Sequence, residues 1–314
     1  MDVGGTKTAS LRVSDDGTVL ARDVRPTPAD DQAATLATMV GSANAVMDPA
    51  VGSVGIAAAG LVEVETGILR FAPNLAWRDV PLTAHVSDAL GLPSCADNDN
   101  TAAAWGESRV GAGVGVRHMV FVGVGTGIGG GFVIDGRLVR GAHGFAAEIG
   151  HIVVEPDGPR CGCGNRGCWE QVASGTAITR AGRGAVRRHR YSDLVERSGD
   201  DPNAVTGAMV TEAARAGDTA SCGILVEVGH RLGQGIAALV NVLDPDLVIV
   251  GGGVSDAGDL VLAPARDAFA RFVEGAGSRP SVPLVAARLG GDAGAIGAAL
   301  LAMERFDRGT GKLR

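Results

Sequence analysis

"MDVGGTKTASLRVSDDGTVLARDV", Met1 to Val24, and "HMVFVGVGTGIGGGFVIDGRLVRG", His118 to Gly141, are written on one plan. Each opens on an apolar run and breaks at a glycine turn that carries a threonine, Thr6 or Thr126. Each then resumes as a strand, turns again at Gly17 or at Asp135–Gly136, and closes on another strand. Apolar residues at every second position, such as Ala9, Leu11 and Val13, are the period of a half-buried strand. "DDQAATLATMVGSANAVM", "DNTAAAWGESRV" and "SCGILVEVGHRLGQGIAALVNVL" read as helices, with β-rich runs at Ser53–Gly60 and Asp246–Gly253. Strands followed by alternating helices and strands, twice over, predict two α/β lobes with mixed sheets and a ligand crevice between them. The approach to the second hairpin puts the boundary near Arg109.

A length of 314 residues, 46% hydrophobic and 20% charged, suits two globular domains. The N-terminus lacks the basic-then-apolar pattern of a secretory signal, and Gly or Asp breaks every apolar run before membrane-spanning length. A cytoplasmic protein is expected, where structural disulfides are rare. The net charge of −7 argues against a nucleic-acid partner. The one basic run, "RRHR" (Arg187–Arg190), reads as a solvated helix face.

Glycine turns follow apolar strands in "DVGGTKT", "GVGTGIGGG" and "VIVGGGVSD". Such turns let successive backbone N–H groups converge on an anion, and the neighbouring Thr hydroxyl adds a donor. Lys7 adds a charge, and Asp2 suits hydrated Mg²⁺ beside a phosphate. "GTGIGG" (Gly125–Gly130) has dinucleotide-fingerprint spacing but leads into a strand, so it fails that motif's context.

"CGCGNRGCWE" packs Cys161, Cys163 and Cys168, three of the five cysteines, into one short loop closed by Glu170. Three thiolates with His151 upstream predict a tetrahedral zinc set with no open position, a structural clamp, with a redox or unliganded role as the alternative. Cys95, Cys222 and His230 read as ordinary packing residues. Glu148 and Glu170 flank the clamp's two halves, and a carboxylate pair accepts hydrogen bonds from the vicinal hydroxyls of a sugar. In "CADNDNTAAAW", either Asn98 or Asp99 suits the helix cap, and Asp97 suits a strand end. The functional alternative makes Asp99 a general base with Asn98 fixing the substrate; spacing alone favours the cap.

Together, "DVGGTKT", "ADNDNTAAAWGE", "GVGTGIGGGFVIDGRLVRG", "AAEIGH" and above all "CGCGNRGCWE" resemble the ROK (repressor, open reading frame, kinase) family, in order over nearly the whole chain. "APNLAW" (Ala72–Trp77) and the Gly125–His151 block resemble its bacterial ATP-dependent glucokinases most. The resemblance implies an actin-like, hexokinase-type (ribonuclease H-like) duplicated fold of two α/β domains around a cleft. It puts a small domain at 1–108, joined by a C-terminal helix at 296–314, and a large domain at 109–295 with the zinc site and a dimer surface.

The activity it implies is transfer of the γ-phosphoryl group of MgATP to the 6-OH of a hexose, glucose first. Asp99 would be the base, and Gly60, Asn98, Asp99, Glu148, His151 and Glu170 would meet the sugar. Asp2, Gly4, Gly5, Thr6, Lys7, Thr126, Gly127, Gly252 and Gly253 would meet ATP, with Mg²⁺ at Asp2. His151, Cys161, Cys163 and Cys168 would bind structural Zn²⁺. A homodimer or homotetramer is implied, with no membrane or nucleic-acid partner. Alternatives are N-acetylmannosamine, fructose, allose or mannose as substrate, or a sugar sensor without turnover; polyphosphate-using relatives lack the cysteine block.

The sequence departs from the family pattern at three points. Met1 stands directly before Asp2, which predicts a short first strand. Ala59 replaces a common proline before Gly60, and Ala147 a common glycine before Glu148. No helix-turn-helix precedes the kinase-like region, which sets the expectation away from the repressor branch.

Overall fold

The computed structural model describes residues 1–72, 75, 77–188 and 192–306. Pro73, Asn74 and Ala76 of "APNLAW", and His189 and Arg190 of "RRHR", lie outside the described residues. In chain order come β1 (Asp2–Val3), β2 (Lys7–Val13), β3 (Val19–Pro26), α1 (Gln32–Ala45) and β4 (Val54–Ala58). Next are β5 (Leu61–Glu63), β6 (Ile68–Ala72), β7 (Trp77–Val80), α2 (Leu82–Leu90), β8 (Ser94–Asn98) and α3 (Asp99–Val110). The second half opens with β9 (Met119–Val124), β10 (Ile128–Ile134) and β11 (Arg137–Leu138). It continues through α4 (Glu170–Ala173), α5 (Gly175–Arg188), α6 (Asp193–Ser198), α7 (Gly207–Arg215) and α8 (Thr219–Leu243). β12 (Leu247–Gly251), α9 (Asp259–Phe272), β13 (Leu284–Ala286) and α10 (Ala293–Phe306) follow.

The repeat in the sequence is a repeat in topology. One five-stranded sheet runs β3-β2-β1-β4-β8 and the other β11-β10-β9-β12-β13, the same permutation of strands in chain order. In the first, β1, β2 and β3 pair antiparallel while β1, β4 and β8 pair parallel. The fold is therefore a duplicated, mixed-sheet α/β architecture of the actin-like, hexokinase type. A third, three-stranded sheet, β5-β6-β7, is an insertion after β4. β4 ("VGIAA") and β12 ("LVIVG") are buried at every residue, as strands covered on both faces must be.

The chain divides into two compact units. One comprises Met1–Phe121, Gly130–Ala147 and the segment from Ala287; the other comprises Val122–Gly129 and Glu148–Ala286. The division passes inside β9 and β10, and Arg109 and α10 belong to the first unit. The core of that unit gathers Met39, Ile56, Leu69, Trp77 and Leu82.

Helix α10 returns to this unit and seats on α3 through Gly297: a methyl there would stand 1.7 Å from the Ala102 carbonyl oxygen. Backbone cannot yield as a side chain can, so Gly297→Ala is expected to lose stability. The clash costs about 1–3 kcal/mol or more, against a helix-propensity gain of about 1 kcal/mol. Urea unfolding reads the balance, and an unshifted midpoint contradicts this packing.

Candidate active site

In the first unit, the glycine turn "DVGGTKT" is the hairpin turn from β1 to β2, closed by the Gly4 N–H on the Lys7 carbonyl at 3.1 Å. β1 is only two residues long, yet it lies between β2 and β4, which holds Asp2 at the sheet's centre. Burial pushes the Asp2 carboxyl up to about 6, and the neighbouring charge of Asp99 adds to the rise while Lys7 opposes it. The first turn of α10 packs on both acids. A methyl on Gly294 would stand 3.2 Å from Asp2 Oδ2 and 3.5 Å from the Asp99 carbonyl oxygen.

The choice between Asn98 and Asp99 as helix cap is resolved by geometry. Asn98 is the N-cap of α3: its Oδ1 accepts the N–H groups of Asn100 at 2.9 Å and Thr101 at 3.1 Å. Its Nδ2 donates to the Gly60 carbonyl at 3.1 Å, so Asn98 and Gly60 stand together. Asp99, the first helical residue, accepts from Asn100 through its N–H at 2.9 Å and Nδ2 at 3.0 Å. Withdrawal from water raises the Asp99 pKa against those bonds. A carboxylate relieved of capping, poorly hydrated and raised in pKa has the chemistry of a general base.

In the second unit, the side chains of His151, Cys161, Cys163 and Cys168 offer ligand atoms that all lie within 4.8 Å of one another. Cys161 Sγ is 3.6 Å from His151 Nδ1, and Cys163 Sγ is 3.6 Å from Cys168 Sγ. A tetrahedral ion with Zn–S bonds of about 2.3 Å sets its sulfur ligands roughly 3.8 Å apart, so the quartet fits zinc. All five cysteines are free thiols. Isolated bridges pair Val153 with Cys168 and Arg160 with Arg166, folding the loop back on itself. Trp169, buried between the last cysteine and the glutamate, donates from Nε1 to the Arg231 carbonyl at 2.9 Å and anchors the loop on α8.

Two carboxylates flank the imidazole. Glu148 Oε2 is 3.9 Å from His151 Nε2, and Glu170 Oε1 is 3.9 Å from His151 Nδ1. Glu170 Oε1 also accepts from the Cys161 thiol at 3.0 Å. A methyl on Gly127 would stand 2.4 Å from Glu170 Oε2, so the second glycine turn lies against this carboxylate. That turn leads into β10, a strand, as "GTGIGG" predicted.

The start of α5 closes on the same turn: Gly175 N–H donates to the Gly125 carbonyl at 2.8 Å and Thr176 Oγ1 to the Thr126 carbonyl at 2.7 Å. Gly252 and Gly253 follow β12, and the next N–H, of Val254, donates to the Val124 carbonyl at 3.0 Å. Thr126–Gly127, Gly175–Thr176 and Gly252–Gly253 are thus gathered in one unit.

Both substitutions at the site have a structural account. The Ala59 N–H donates to the Val3 carbonyl at 3.2 Å, a bond a proline cannot make, and it extends the β1–β4 pairing. Ala147 holds φ +69°, a left-handed conformation that costs a non-glycine residue of order 1 kcal/mol just before Glu148.

Three contributors escaped sequence reading. Gly175–Thr176 carried a weak signal, a Ser-Gly-Thr before a helical pattern. Glu107 is fully buried, with Oε2 accepting from Ala112 N–H at 2.7 Å and Oε1 from Leu289 N–H at 2.8 Å, so it fixes the approach to α10. Arg140 pairs with Asp97, 43 residues away, which local spacing cannot reveal. A cavity of about 270 Å³ in the first unit, lined by Ser10, Arg12, Met47, Val54 and Met303 among others, touches none of the candidate residues.

The profile of the ROK family matches residues 1–305. The chain belongs to the ROK family. Among ROK relatives, a glucokinase of Streptomyces coelicolor is 41% identical over 306 residues, 97% of this chain and 96% of that one. A glucokinase of Thermotoga maritima is 37% identical over 315 residues, 98% of this chain and 97% of that one. The crystal structure of a ROK glucokinase from Streptomyces griseus, in complex with glucose and AMPPNP, superposes with a TM-score of 0.90. It is 42% identical and spans 96% of this chain and 98% of that one. Among the described residues of this ROK chain, no helix is long and apolar enough to cross a membrane.

Proposed function

We propose that this chain is an ATP-dependent glucokinase, transferring the γ-phosphoryl group of MgATP to the 6-OH of glucose. The observation that carries the reading is the position of Glu170. It adjoins His151 and the cysteine cluster on one side and the Thr126–Gly127 turn on the other, so a hydroxyl-binding carboxylate and a phosphate-binding turn are neighbours. The relatives' activity, and the glucose and AMPPNP bound in the Streptomyces griseus enzyme, support the same substrates.

In this reading Asn98, Glu148, His151 and Glu170, with backbone at Gly60, hold sugar hydroxyls. Asp99 accepts the proton of the attacking hydroxyl. Gly4, Gly5, Thr6 and Lys7, with Thr126 and Gly127, cradle the phosphates, and Gly252–Gly253 adjoin the adenosine. Asp2 would hold Mg²⁺, which would supply positive charge against the charge spreading over the transferred group. The protein's own contribution is positioning and electrostatics. The zinc quartet stands outside the chemistry and fixes where Glu148 and Glu170 project. The exposed run Ile152–Val154 offers an apolar edge for the homo-oligomer that belongs to this reading.

A coupled ADP-release assay over glucose, mannose, fructose, allose and N-acetylmannosamine tests the proposal. Glucose is expected to give the highest kcat/KM. A higher value with N-acetylmannosamine replaces the sugar and keeps the chemistry, whereas no ADP release with any sugar leaves a sensor and overturns the kinase.

A further inference from the structure

Asp97 is the least exposed acid of the "DND" turn, its side chain 4% accessible, and a lone carboxylate there would be costly. Its partner is Arg140, whose Nε donates to Asp97 Oδ2 at 2.8 Å. The other oxygen, Oδ1, accepts the N–H of Asn98 at 2.9 Å. The backbone that launches Asn98 and Asp99 is therefore gripped by a side chain that Arg140 itself holds. Arg140 also acts through its main chain: its carbonyl accepts the Ala146 N–H at 3.0 Å and closes the 140–146 loop. That loop leans on the insertion sheet, where a methyl on Gly144 would stand 2.7 Å from the Val62 carbonyl oxygen. It runs directly into strained Ala147 and then Glu148.

We propose that Arg140 is a positioning residue for the phosphoryl-transfer reaction. It ties the turn that aims Asn98 and Asp99 to the loop that delivers Glu148, and it touches no substrate. The inference rests on the kinase reading above. Two features separate it from a bare stabilising ion pair. The carboxylate it holds makes its remaining bond to the amide next to Asp99, and the same residue closes the loop leading to Glu148. Near-attack geometry is steep: displacing a reacting group by about 1 Å costs roughly 10²-fold in rate.

The test compares wild type, Arg140→Met, Arg140→Lys and the double variant Asp97→Asn/Arg140→Met, assayed well below each melting temperature. Arg140→Met is expected to lower kcat by about 10–10²-fold and raise the glucose KM, with the ATP KM within about twofold of wild type. Arg140→Lys, which restores a cation, is expected to recover part of kcat. A folded Arg140→Met with wild-type kcat overturns the proposal. Should Arg140→Met not fold, the double variant decides, because it leaves no unpaired buried charge. Lowered kcat in that folded protein supports positioning, and wild-type kcat shows a merely structural pair. Failure of the kinase reading is recognised separately, as a wild-type chain that phosphorylates no glucose, and it takes this inference with it.

Discussion

Asp99→Ala is expected to lower kcat for glucose phosphorylation by about 10²–10⁴-fold, the usual worth of a positioned general base. At about 1.4 kcal/mol per decade, that is roughly 3–5 kcal/mol of transition-state stabilisation. The helix survives the change because Asn98, not Asp99, caps α3. Asp99→Asn is the stricter control, since an amide oxygen still accepts from Asn100 while the proton acceptor is gone. Both variants are expected to bind glucose with little change, read by calorimetry. Wild-type turnover in either removes Asp99 from the reaction.

The same group sets a pH dependence whose sign follows from its burial. Desolvation raises the Asp99 pKa, so a base at Asp99, as proposed, is expected to be lost to protonation at a higher pH than an exposed aspartate, near 3.9, would require. kcat should fall tenfold per pH unit on the acid side of that raised value. For stability the sign is opposite. The folded state binds the proton more tightly than the unfolded chain, so stability declines as pH rises through that window and stays lower above it. At neutral pH Asp99→Asn is therefore expected to melt higher than wild type while turning over far more slowly. Loss of turnover with no gain in melting temperature would point to disruption of the site instead.

What the sequence revealed, and what it hid, divides by the range of the interaction. The hairpins were legible because period-two alternation and glycine turns are local, and their recurrence at His118 foretold the matching strand orders. The thiols were legible because Cys161, Cys163 and Cys168 lie in one short loop, and His151 only ten residues upstream. The cap was not, since Asn98 and Asp99 are equally good caps by type; the Gly60 carbonyl, brought in by parallel pairing of β4 with β8, decides where Asn98 points. Arg140 and Glu107 were invisible for a related reason. Their partners, Asp97 and the Leu289 amide, arrive only when the sheet and α10 are assembled.

Removal of the clamp is the other large effect. Around Cys161–Cys168 the described structure has two isolated bridges and several turn bonds but no helix or strand; of the three thiols proposed to bind zinc, Cys163 is exposed. A segment held so lightly does not keep its shape unaided. Structural zinc supplies apparent binding energies of about 10–16 kcal/mol in small domains, as large as the whole stability of a typical domain, about 5–15 kcal/mol. Without the ion, burial pushes the Cys161 and Cys168 thiols up, which opposes the thiolates that zinc requires. Zinc uptake should therefore release protons.

Cys168→Ala is expected to lose zinc, read as metal per chain by mass spectrometry, and to lose amide protection over residues 152–170. Because in the proposed reading the clamp carries Glu170 and His151 but no group that moves a proton, the glucose KM is expected to rise by more than kcat falls, with the ATP KM least affected. Chelation of the wild-type protein should reproduce that pattern, and added zinc should reverse it. A chain purified without zinc that shows wild-type glucose KM would detach the cysteine loop from sugar binding.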